Sequence, residues 1–97
     1  MSLKSPPRDR REGAEAIAVA ALGFLAAEPE RLSRFVALSG LEVANLRRAA
    51  QDEGFLAGIM AYVAADEALL LEFAAASGRK PEEIAAAHHV LNPDFED

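Results

Sequence analysis

Arg34-Phe35-Val36-Ala37-Leu38-Ser39-Gly40 returns later in the chain as Glu72-Phe73-Ala74-Ala75-Ala76-Ser77-Gly78, 38 positions on. The same 38-residue offset pairs Leu32 with Leu70, Phe24 with Tyr62, Leu25 with Val63, Glu28 with Asp66, and Leu46 with Ile84. Shared alanines mean little in an Ala-rich chain, but paired Phe, Leu and Ser-Gly do. An internal repeat settles architecture before any local reading does. It predicts a chain built as two copies of one three-helix unit, and it carries almost no chemistry.

Alanine dominates the 97 residues and is the strongest helix former, since it loses no side-chain entropy in a helix. β-branched and aromatic residues are too few to build a sheet. The expected fold is all-α: a compact six-helix bundle of two tandem repeats, with one core, because a chain this short cannot bury two. The reading divides it into a disordered basic arm (1–9), a single helical domain (10–91; repeats 10–51 and 52–91) and an acidic tail (92–97).

Local signals place the helix ends. The first helix is expected from about Arg10 to Ala27, apolar all round over its last two-thirds and so surrounded by neighbours. Pro29 suits the first turn of a second helix, and Gly40 ends it by its freedom to turn left-handed. Glu42 to Gln51 reads as a short third helix. Asp52 and Asp66 are N-caps for the fourth and fifth, Gly78 ends the fifth, and Pro81 opens a sixth that stops at Asn92-Pro93. Phe35, Phe73, Leu32, Leu70, Leu46 and Ile84 form the expected core. Helix five carries Leu69 and Leu71 where helix two carries Arg31 and Ser33, so it is expected at the centre of the bundle. If it is not enclosed, its leucines instead form the interface of a two-fold homodimer.

The basic leader and the apolar run from Ala16 to Ala27 imitate a signal peptide. Leu25-Ala26-Ala27 is a poor cleavage site, and about twelve residues cannot span a ~30 Å hydrocarbon core. The run is read as a buried helix, with no membrane attachment. The absence of cysteine excludes disulfides and thiolate metal sites, and fits a reducing cytoplasm.

Charge is unevenly placed. Residues 1–50 carry eight basic and six acidic side chains, whereas 51–97 carry two and ten. The acidic half repels nucleic acid through its long-range field. His88-His89 are adjacent, so their side chains point ~100° apart on a helix and cannot grip one metal; both are expected as surface or helix-end histidines near the negative C-terminus of the sixth helix. Ser39 and Ser77 precede helix-ending glycines and read as caps, not nucleophiles. No catalytic residue, metal ligand or cofactor-binding residue is expected, and no cofactor.

One segment, residues 31–48, has the turn glycine and basic second helix of a helix-turn-helix. Its repeat partner, Lys80-Pro81-Glu82-Glu83, is acidic, and no aromatic is interleaved with the arginines for stacking. The expected function is therefore a non-enzymatic module binding an unidentified protein partner through a surface that includes Arg31, Arg34, Arg47, Arg48, Leu69 and Leu71. The alternative is a DNA-associated regulator using Arg47 and Arg48.

Two stretches carry a family resemblance. They are Ala21-Leu22-Gly23-Phe24-Leu25-Ala26 with Pro29-Glu30-Arg31-Leu32 and Phe35 to Leu41, and Gly54-Phe55-Leu56 with Ala64 to Phe73. Over residues 16 to 91 the chain resembles a family of short, all-helical proteobacterial proteins that form a domain of unknown function. The resemblance implies a cytoplasmic bacterial protein and supplies no catalytic residues.

Overall fold

Two prolines open the first helix. The computed structural model describes residues 6–40 and 42–93, and α1 runs from Pro6 to Ala26. Pro6 and Pro7 fall in its first turn, where the missing N–H groups have no helical partner to lose. Helix thus replaces the inner part of the expected arm, residues 6–9, and residues 1–5 lie outside the described residues.

The remaining elements are α2 (Pro29–Ser39), a 3-10 turn (Val43–Asn45), α3 (Leu46–Ala49), α4 (Glu53–Ala64), α5 (Glu67–Ser77) and α6 (Pro81–Leu91), with no strand among the described residues. Their ends follow local chemistry. Asp52 accepts the Gly54 N–H at 2.9 Å and Asp66 the Leu69 N–H at 3.2 Å, each filling a first-turn vacancy. Gly40 and Gly78 close α2 and α5 at φ 73° and 69°, a conformation in which other residues are strained. Glu83 reaches back to accept the Lys80 N–H at 2.9 Å at the start of α6. The expected third helix shrinks to a 3-10 turn and one α turn. Asn45 is a weak helix former, and so short a segment needs packing to stay helical.

Three helices make the core: α1, α4 and α6 pack on one another, α2 lies on α1, and α5 leans on α4, α6 and α1. Ala14, Ala18, Ala21 and Leu25 form the buried stripe of α1. Leu56, Ile59, Met60 and Val63 on α4 and Ile84, Ala87 and Leu91 on α6 complete it. Small side chains on α1 let neighbouring axes come near the low end of the ~8–10 Å range. The radius of gyration, 13.4 Å, is that of a compact chain of this length. The described helices include none long and apolar enough to cross a membrane by itself.

Several expectations are corrected. α1 buries one stripe and not its whole circumference, leaving Val19 exposed. Helix five is not central: Phe73 and Ala74 are buried, Leu69 is half-buried and Leu71 is 47 % exposed. Only one face of α5 reaches the α1–α4–α6 core, because those three helices already pack on one another. Of the expected core, Phe35, Phe73 and Ile84 are buried and Leu32 and Leu70 half-buried, while the Leu46 side chain lies outside the described residues.

His88 lies in the last turn of α6, as expected, but is 6 % exposed rather than at the surface. The Asn92 amide makes this tolerable. Its Nδ2 donates to the Ala57 carbonyl of α4 and the His88 carbonyl, both at 3.1 Å, and faces His88 Nδ1 at 3.1 Å. Two amide hydrogens serve these three contacts, and the role of Nδ1 depends on the imidazole tautomer. Burial, and secondarily the charge of His89, hold the His88 pKa below its ordinary value. The unfolded chain therefore takes up the proton first. Stability from this site is complete above pH ~6.5 and falls as pH drops from there to the lowered folded value, by at most ~1.4 kcal/mol per pH unit. Urea denaturation at pH 7.5 and 5.5 should show this loss, and His88→Gln should reduce it. An identical pH dependence in both proteins would refute the role.

Candidate protein-docking site

The end of α2 and the start of α4 form the walls of an apolar groove of about 450 Å³. Gly40 ends α2 just after Leu38 and Ser39, and the Asp52 cap starts α4 just before Gly54 and Phe55. Phe35, Leu38, Phe55 and Tyr62 supply the large side chains that line the groove, with Gly54 and Gly58 among them. Phe35 holds the aromatic wall: its ring meets Phe55 at 6.0 Å and Tyr62 at 5.1 Å, both edge-to-face, a favoured aromatic geometry. Leu38 stands 70 % exposed beside them. A side chain added at Gly58 would meet nothing within 4 Å.

The connection from α2 to α4 carries Arg47 and Arg48 on α3, both exposed. It leaves one wall of the groove and enters the other.

The other residues expected at an interface fall elsewhere. Arg31, Arg34 and Leu69 line a separate cavity of about 270 Å³ between α2 and α5, together with Glu30, Asp66 and Glu72. Arg31 is not a simple solvent position: its guanidinium lies 4.1 Å over the Phe24 ring, and Nη2 reaches Glu72 Oε1 at 3.4 Å. The ring contact and the mixed charges give this cavity a bracing role between helices. Leu71 does not join Leu69 there.

Reactive arrangements are sparse. Ser39 Oγ donates to the Val36 carbonyl at 3.4 Å and Ser77 Oγ to the Phe73 carbonyl at 2.7 Å, as capping hydroxyls do. Among the described residues no group of three or more His, Asp or Glu side chains is placed to hold a metal ion. What the groove offers chemically is apolar contact and close backbone approach.

Sequence reasoning passed over this groove. Its signal was Gly54 and Gly58 one turn apart on an otherwise apolar helix, opposite a leucine in the last turn before a stop glycine.

Residues 11–94 match the model of a family described as a protein of unknown function (DUF3572). No curated protein and no solved structure matches the chain.

Proposed function

We propose the following from the premise that this chain belongs to the DUF3572 family: it is a small non-enzymatic interaction or adaptor module whose α2–α4 groove receives an amphipathic helix of a protein partner. The observation that carries this reading is the exposed Leu38 beside the Phe35, Phe55 and Tyr62 wall. Gly54 and Gly58 allow a helix backbone to approach closely, and an apolar helix face seated in such a groove is a common recognition mode. Arg47 and Arg48 favour a partner with acidic residues beside its apolar face. The lack of cysteine supports a place in a reducing cytoplasm.

The same reading treats the fold as a duplicated three-helix unit. Helix ends at Ala26 and Ala64 and at Ser39 and Ser77 keep the 38-residue offset, as do the two left-handed glycines. Two crossed ring contacts, Phe24–Phe73 at 5.3 Å and its offset counterpart Tyr62–Phe35 at 5.1 Å, also support it. The first and third helices differ in length, 21 residues in α1 against 12 in α4 and four in α3 against eleven in α6.

Capture from cell lysate with three baits tests the docking proposal. Wild type should retain a specific protein that Gly58→Phe, which fills the groove, and Leu38→Glu both lose at least tenfold, with melting temperatures near wild type. Equal capture by all three baits would sink it. So would submicromolar binding of duplex DNA at physiological salt that falls steeply with added salt and disappears in Arg47→Glu/Arg48→Glu, the result expected of a DNA-associated regulator. A homodimer through exposed Leu71 is the further alternative, and light scattering after size exclusion reads it directly.

A further inference from the structure

The cavity of about 270 Å³ between α2 and α5 has arginines on one wall and carboxylates on the other. Arg31 and Arg34 stand three residues apart on α2, and so on one face of it. Asp66 and Glu72 line the cavity from the α5 side. One pair is already engaged, since Arg31 reaches Glu72 at 3.4 Å and lies over the Phe24 ring. Arg34 and Asp66 are left over. Both are exposed, and Arg34 has no ion-pair partner among the described residues. Asp66 accepts the Leu69 N–H through Oδ1 at 3.2 Å, which leaves its second oxygen to a ligand. Buried Leu25 and half-buried Leu69 add apolar lining.

We infer that this cavity binds a free α-amino acid with an apolar side chain, its carboxylate on Arg34, its ammonium on Asp66 and its side chain against Leu25 and Leu69. A zwitterion matches two walls of opposite sign, and each of its ends gains a charge-assisted hydrogen bond. The Arg34 guanidinium can hold a carboxylate through two parallel N–H donors. Size limits the class. At about 270 Å³ the cavity lies below the ~300–1,000 Å³ of sites for drug-sized ligands, so it suits an amino acid better than a nucleotide. Charge limits it further. Glu30 also lines the cavity, and three carboxylates against two guanidinium groups leave the site net negative, which disfavours phosphates and dicarboxylates. Part of the frame is set before a ligand arrives: the capping bond holds Asp66, and Phe24 and Glu72 hold Arg31. Such preorganisation lowers the ordering cost of binding.

Titration of the methyl-labelled full chain with three probes tests this. They are L-leucine, leucinamide, which keeps only the ammonium, and N-acetyl-leucine, which keeps only the carboxylate. Leucine should move the Leu25 and Leu69 methyl resonances, saturating below about 10 mM, while those of Ile59 and Met60 stay fixed. Each single-charge analogue should bind roughly tenfold more weakly, or worse. Arg34→Gln, at an exposed position where replacement leaves the fold intact, should weaken leucine by a similar factor without weakening leucinamide. Asp66→Asn keeps a good capping side chain, and should weaken leucine and leucinamide but not N-acetyl-leucine. Unmoved Leu25 and Leu69 methyls would overturn the inference. Equal affinity for the three probes, or full leucine binding by both variants, would overturn it too, because the opposed charges would then play no part.

Discussion

Replacing Phe73 with alanine is expected to remove about 3–5 kcal/mol of stability, the range for truncating a fully enclosed phenylalanine. Phe73 is 1 % exposed, the largest of the fully buried side chains. Its ring meets Phe24 at 5.3 Å and 47°, so the cavity would open beneath both α5 and α1. Small domains have only ~5–15 kcal/mol in total, and the variant should therefore be substantially unfolded near 37 °C. Urea denaturation at 25 °C checks this, and a change below about 0.5 kcal/mol would take Phe73 out of the core. A double-mutant cycle with Phe24→Leu should recover a ring–ring coupling of roughly 0.5–1.5 kcal/mol.

Ile84→Ala should lose about 2–5 kcal/mol. Ile84 has no exposed surface and sits on the face of α6 that meets the central helices. Leu71→Ala, on the outer side of α5, should stay within about 0.5 kcal/mol of wild type. Thermal melts of the pair test which helix is central. Equal losses would return α5 to the middle of the bundle, whereas a large loss at Ile84 alone keeps α5 outside the α1–α4–α6 core.

The boundaries of α2, α4, α5 and α6 were legible because each is decided within a turn or two of chain, whereas the start of α1 and the extent of the third helix were not. Asp52, Asp66, Gly40, Gly78, Pro29 and Pro81 act on backbone groups within four residues, and their placement followed. Packing partners were not legible. His88 is buried because Asn92 bridges it to the Ala57 carbonyl, 35 residues from Asn92 in the chain, and no local pattern announces such a bond. Leu69 and Leu71 differ in exposure because the neighbours of α5 cover one face only, which composition alone does not reveal. Arg31, expected at an interaction surface, is set over Phe24 by the approach of α2 to α1. The candidate groove was hidden for the same reason: Leu38 and Gly58 become neighbours only when α2 and α4 meet.

The closest partner of the first helix is the last one. Synthesis proceeds from the N-terminus, so Ala18, Ala21 and Leu25 emerge long before Ile84 and Leu91 exist to cover them. At ~5–20 residues per second that interval lasts several seconds. During it, α2, then α4 and then α5 are the core surfaces the nascent stripe can meet, and the bundle cannot close until α6 has been made. Keeping that stripe mostly alanine lowers the stickiness of the waiting chain, so the small residues that let helices pack closely also protect the protein before it has finished being made.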